Sequence, residues 1–143
     1  MGKKRIVKKG GEGDTGGAAR APSRLSRREL PQGAVHIHAT YNNTKVLLAD
    51  QRGNTVAWSS SGSLGFQGAK KGTPFAAAKV GELIGEKALQ LGMKEAQAIV
   101  RGVGSGRESA LRAFAARGIQ ITSIRDTTPV PFNGPKPPKP RRV

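Results

Sequence analysis

The chain has 143 residues, enough for one domain, and sets 25 Lys and Arg against 9 Asp and Glu for a formal charge of +16. A folded state so charged repels itself until a polyanion neutralises it, and nucleic acid is the partner this implies. No apolar run approaches the ~18 residues of a spanning helix and no secretory segment follows Met1, which leads to the expectation of a cytoplasmic protein. With no Cys, disulfides, thiolate metal sites and thiol redox chemistry are excluded.

Residues 1–33 hold nine basic side chains against Glu12, Asp14 and Glu29, and seven of these positions are Gly. Such a segment buries too little apolar surface to offset its ordering entropy, so it reads as a disordered basic extension. Residues 34–126 then carry the patterns of an α/β domain. Ala34 to Thr40 alternates Val35, Ile37 and Ala39 with His36, His38 and Thr40, the period of a strand with one buried face. Asn42-Asn43 marks a turn; Lys45 to Ala49 and Thr55 to Ser60 are further strands joined by the hairpin loop Asp50 to Asn54. Thr73-Pro74 begins a helix that runs to about Leu91 and stops at Gly92, with Phe75, Ala78, Leu83, Ala88 and Leu91 as its expected apolar stripe. Ala96 to Val100 reads as a strand. Ser105-Gly-Arg-Glu108 has capping-box spacing for a second helix from about Glu108 to Arg117, ended by Gly118. Ile119, Ile121 and Ile124 suggest a last strand with room for a bulge. The order βββαβαβ predicts a mixed five-stranded sheet with helices packed on it. Residues 127–143 close the chain as a second disordered tail with six Pro, four basic residues and no acid.

Two loops carry the chemistry of phosphate contact. Gly102-Val-Gly-Ser-Gly-Arg107 lies between a strand and a helix, where glycines admit close backbone approach, helix amides face outward and Arg107 adds a charged fork. It has neither the Lys-Ser/Thr of a Walker loop nor the spacing of the dinucleotide fingerprint. Arg107 is expected to be a phosphate anchor with no part in fold stability, and Glu108 to hold the cap. The second loop, Gly62 to Pro74, combines Gly with Lys70 and Lys71 and can follow an irregular RNA backbone; its Phe66 is expected to tuck into the core. His36 and His38 are the only histidines, too few for a metal site, and Asp50, Glu82, Glu86, Glu95, Glu108 and Asp126 are too scattered for two-metal nuclease chemistry. Glu82 and Glu86 read as a solvated helix face. No catalytic residue, metal or cofactor is therefore expected. Asn133-Gly134 is a pair prone to succinimide formation, because Gly leaves the side-chain amide unhindered.

His36-Ile-His-Ala39, Tyr41-Asn-Asn-Thr44, Lys71-Gly-Thr-Pro-Phe75, Gly104-Ser-Gly-Arg-Glu108 and Thr128-Pro-Val-Pro-Phe-Asn-Gly134 together resemble the S11 family of small-subunit ribosomal proteins. The resemblance spans most of residues 33–143. It implies a ribonuclease-H-like fold without catalytic carboxylates, and a structural constituent of the 30S subunit. It also implies a place on the platform bound to 16S ribosomal RNA, beside neighbouring platform proteins and near the messenger RNA path and its Shine-Dalgarno helix. The RNA-facing positions it implies are Asn42, Asn43, Lys70, Lys71, Gly72, Thr73, Gly104, Gly106, Arg107, Asn133, Gly134, Lys136, Lys139, Arg141 and Arg142. The chain departs from the family at Phe132, where His is common, and at Pro135-Lys136, where Cys-Arg is common; Gly10 to Gly17 resembles an insertion. The rival readings are a free nucleic-acid-binding or RNA-chaperone protein, which would not track the small subunit in sedimentation, and a nuclease, which would cleave RNA with metal.

Overall fold

A computed structural model of the chain describes residues 29–140; most of the basic N-terminal extension, and Arg141 and Arg142 with the expected disorder there, lie outside these residues. Three strands open the domain: β1 (Gln32–Ala39), β2 (Thr44–Ala49) and β3 (Thr55–Ser60). A 3-10 turn (Gly68–Gly72) leads into α1 (Pro74–Gln90), followed by β4 (Glu95–Arg101), α2 (Gly106–Ala115) and β5 (Gln120–Asp126). The five strands form one mixed sheet in the order β3-β2-β1-β4-β5. The β1-β2 and β2-β3 pairs are antiparallel, whereas β1-β4 and β4-β5 are parallel. The hairpins need only short turns, while the parallel pairs need the helical crossovers that α1 and α2 supply. This is the expected sheet, and its order accords with a ribonuclease-H-like arrangement.

Alternation decides which face of the sheet is covered. Val35, Ile37 and Ala39 of β1, Val46 and Leu48 of β2, and Ala96, Ala98 and Val100 of β4 are buried under the helices. Phe114 of α2 and Ile84 of α1 are fully enclosed there with Ile37 and Leu48. Each such side chain contributes about 1.5–3 kcal/mol by leaving water. Hydrogen bonds tie the chain into this body from Leu30 onward: Leu30 N donates to Leu91 O at 2.9 Å and Lys94 N to Pro31 O at 3.0 Å. β1 thus begins two residues before the expected strand.

The helix boundaries have local causes. The Thr73 hydroxyl accepts from Ala76 N at 3.3 Å, and Pro74 sits where its missing N–H costs nothing. At the far end Gly92 takes φ 74°, with Gly92 N bound to Leu89 O and Met93 N to Ala88 O, the paired bonds of a Schellman ending. The buried face of α1 differs from the expected stripe. Ala76, Ala77, Val80, Gly81, Ile84, Gly85 and Ala88 are enclosed, whereas Phe75 is 64% exposed and Ala78 and Leu83 are only half-buried. The reason is α2. A Cβ on Gly81 would lie 2.4 Å from Ala110 O, and one on Gly85 would lie 2.7 Å from Arg117 Cγ, so the helices touch along small residues. The contacts Ala77 with Gly106, Gly81 with Ala110 and Gly85 with Phe114 advance together along both helices, so α1 and α2 run in the same direction. Across their other ends Arg117 reaches Glu86 at 3.1 Å and Glu82 at 3.5 Å, so these acids clamp α2 to α1 as well as facing solvent.

In β5 the register slips: Ala96 pairs with Ile121 and Gln97 with Ser123, leaving Thr122 as the extra residue of a bulge. Phe66 is not in the core; it is half-buried and meets Phe75 edge-to-face at 6.1 Å. Among the described residues no helix is long and apolar enough to cross a membrane.

Candidate nucleic-acid interface

The parallel strands β1, β4 and β5 all end at one edge of the molecule, and the parallel helices both begin there. Crevices outside the carboxyl ends of such strands are where open α/β sheets receive ligands. Three pieces of chain meet at this edge through glycines. A Cβ on Gly104 would lie 2.2 Å from Thr40 O, one on Gly72 would lie 2.1 Å from Tyr41 O, and one on Gly106 would lie 2.4 Å from Thr44 Oγ1. Gly104 N donates to Ala39 O at 2.9 Å, and Ser105 Oγ to Gly72 O at 2.9 Å. The turn at Asn42-Asn43, the Lys70–Thr73 segment and the loop from Gly102 to Arg107 are thereby pressed into one surface.

Within that surface the two helix starts differ. The first turn of α1 is capped by Thr73 and Pro74, but α2 has no side-chain cap: the Ser105 hydroxyl is spent on Gly72, and Glu108 reaches forward to Arg112 at 3.2 Å. The expected capping box is therefore not formed, and α2 starts at Gly106 rather than Glu108. Beside this helix start, where the dipole is positive, lies a hollow of about 260 Å³ lined by Gly104, Ser105, Arg107, Glu108, Ser109 and Arg112. Lys70 and Lys71 form the last turn of the 3-10 segment just ahead of α1. Asn42 is exposed, while Asn43 is half-buried, with its Oδ1 enclosed and unpartnered in the structure. Asn43 also holds the turn: its N–H donates to Thr40 Oγ1 at 3.1 Å, and its carbonyl accepts from Thr40 N at 2.9 Å.

Arg107 is built into the fold, contrary to the sequence expectation. Its Nη1 donates to Gly102 O and to Thr128 Oγ1 at 3.2 Å, and its Nη2 donates to Asp126 Oδ2 at 2.6 Å. Thr128 completes the cluster: its hydroxyl donates to Asp126 Oδ1 at 2.6 Å and accepts from Gly102 N at 3.1 Å. The Thr128 hydroxyl and the Arg107 guanidinium together hold the Asp126 carboxyl far below the usual carboxylate range. Arg107 keeps 31% of its side chain exposed.

Thr40, Thr44, Ser105, Asp126 and Thr128 are residues of this site that the sequence reading missed. Only Asp126 to Thr128 left a signal, an Asp followed two residues later by Thr at a strand end, the spacing of a local side-chain turn. Residues 129–140 are exposed and without regular secondary structure. Asn133, with φ 53°, Gly134, Lys136 and Lys139 all lie in this exposed segment, and Arg141 and Arg142 lie outside the described residues.

A model of the ribosomal protein S11 family matches residues 33–142, which takes in the sheet from the second residue of β1 onward, both helices, the loop cluster and nearly all of the C-terminal segment. The chain belongs to the ribosomal protein S11 family and is a small-subunit ribosomal protein that binds ribosomal RNA.

Proposed function

We propose that the chain is a structural constituent of the 30S platform, where the glycine-rich edge of the domain grips the backbone of 16S ribosomal RNA. The observation that carries this is the meeting of two helix starts, the three tightly packed glycines Gly72, Gly104 and Gly106, and the cations Lys70, Lys71 and Arg107 on one edge. Backbone amides and helix dipoles there favour phosphate oxygens, and the lysines and arginine add charge-assisted contacts. Asn42, Asn43, Gly72, Thr73, Gly104 and Gly106 shape the seat. The chain before Leu30 and after Thr128 acts as basic arms around the domain between them, with Asn133, Gly134, Lys136, Lys139, Arg141 and Arg142 following the RNA away from it. In this position the chain borders neighbouring platform proteins and helps shape the messenger RNA path near the Shine-Dalgarno helix, in the cytoplasm.

Reconstitution with small-subunit RNA followed by hydroxyl-radical footprinting tests the reading. The protein is expected to protect a compact set of platform nucleotides and to sediment with the subunit at moderate salt. Replacing both Lys70 and Lys71 by Ala should weaken that footprint while leaving the thermal transition in place. A protein that binds RNA but stays at the top of the gradient is a free RNA-binding protein, and the platform reading falls.

A further inference from the structure

We infer that the face of the sheet opposite the helices is a second RNA contact, on which an unpaired base stacks against Trp58 while its backbone lies along Lys45, Arg101 and Arg125. The inference rests on the chain's being an RNA-binding protein and adds a surface distinct from the glycine-rich edge. Strand register lays this face out in rows. One row is Trp58, Leu47, His36, Ile99 and Arg125, reading from β3 across to β5; the next is Lys45, His38 and Arg101. In the first row Leu47, His36 and Ile99 are half-buried and Trp58 is 61% exposed, so the middle of the sheet is a ledge of two aliphatic side chains and an imidazole ending in a large uncovered ring. A flat sheet carrying an aromatic is how single-stranded RNA is commonly received, because every base has a stacking face.

Charge chooses among occupants. Neither row contains a carboxylate, and the acid of β4 on this face, Glu95, stands at the opposite end of that strand with its Oε2 held by Gln32 Nε2 at 3.0 Å. A second protein would have to set its own acids against Lys45, Arg101 and Arg125, whereas RNA brings phosphates and bases together. The chain's own N-terminal extension, with nine basic residues against three acids in residues 1–33, is repelled. The second row also runs into the glycine-rich edge: Arg101 precedes Gly102, and Lys45 follows the Asn42-Asn43 turn. One RNA strand leaving that edge therefore meets the open face next.

Trp58 is the only Trp in the chain, so its emission reports on this face alone. The full chain is titrated with a twelve-nucleotide oligouridylate and with duplex RNA of the same length. The single strand should quench Trp58, and the duplex should do so less. Trp58→Ala should lower oligouridylate affinity between about fivefold and a hundredfold, the worth of one base–aromatic stack, and Trp58→Phe should retain most of it. Arg101→Ala and Arg125→Ala should each reduce the salt slope by about 0.7. Saturable binding with unchanged emission and an unaffected Trp58→Ala variant overturns the inference and leaves RNA binding at the glycine-rich edge intact. Absence of any RNA binding overturns both. Shielding of Trp58 from acrylamide that appears only when other platform proteins are added, and never with RNA alone, gives the face to a protein and also overturns it.

Discussion

The Arg107 guanidinium is held by Gly102 O within its own loop and by Asp126 and Thr128 at the end of β5. Placed after three alternating glycines at a helix start, it reads as a cation in an unfavourable place awaiting an anion. The anion is partly supplied by the chain: Asp126 arrives from β5, nineteen positions away, together with Thr128. No local pattern announces a partner so distant. Arg107→Ala should therefore cost about 1 kcal/mol through lost hydrogen bonds to Gly102 O and Thr128, discounted for partial exposure. Glu108→Ala, whose carboxylate meets only the exposed Arg112, should cost no more than about 0.5 kcal/mol. Thermal melts of the two variants check the order; a larger loss for Glu108→Ala would restore the capping-box reading. The same cluster sets a pH dependence. The Asp126 carboxyl titrates below its unfolded value, so its stabilisation is fully present above the ordinary carboxylate range, about pH 4, and is lost as pH falls further through its folded value. The stability gap between wild type and Asp126→Asn should be constant from pH 7 down to about 5 and then narrow. A gap that widens in acid would remove Asp126 from the latch.

Element by element, the strands and their order were legible because alternation reports a one-sided sheet directly: Val35, Ile37 and Ala39 point one way, and the structure buries all three. The helices were legible in extent but not in face. Large side chains such as Phe75 and Leu83 dominate the apolar pattern of α1, whereas the buried face follows Ala77, Gly81, Gly85 and Ala88, because close parallel packing of two helices selects small residues. Periodicity in one helix cannot show where a second helix crosses it. The loop cluster was legible as glycine-rich and basic, but its contacts with Thr40 and Tyr41 depend on the strand pairing that brings β1 beside β4. Gly81→Ala separates the two views of α1. Helix propensity alone favours Ala by about 1 kcal/mol, but the added Cβ would lie 2.4 Å from the Ala110 carbonyl oxygen, a backbone atom that moves only with α2. The net change should be a loss of about 1–3 kcal/mol, as for other overpacked sites. Gly62→Ala, whose Cβ would find its nearest neighbour at 3.8 Å, is the control and should stay within about 0.5 kcal/mol. Denaturant melts decide, and a stabilised Gly81→Ala would show that the helices have room to part.

At the scale of the whole molecule, charge is divided between a domain and its extensions, and the structure places the seam. Thr127 N continues the β5 ladder to Val100 O at 2.9 Å, and Thr128 closes the Arg107 cluster, so the two residues after β5 serve the domain. From Pro129 onward the segment is exposed through residue 140, and it carries Lys136, Lys139, Arg141 and Arg142 by sequence. Two truncations separate these duties. Removing residues 129–143 takes away four cations and none of the latch, so the melting temperature should hold. The plot of log K against log salt for RNA should meanwhile become shallower by up to about 3, at roughly 0.7–0.9 per phosphate released. Removing residues 127–143 should produce the same change in slope and also lower the melting temperature, because Gly102 N and the Arg107 guanidinium both lose the Thr128 hydroxyl. Binding isotherms at three salt concentrations beside melts of the RNA-free proteins measure both quantities. If the shorter truncation already destabilises the free domain, the tail beyond Thr128 belongs to the fold; if it leaves the salt slope unchanged, its cations do not meet phosphate.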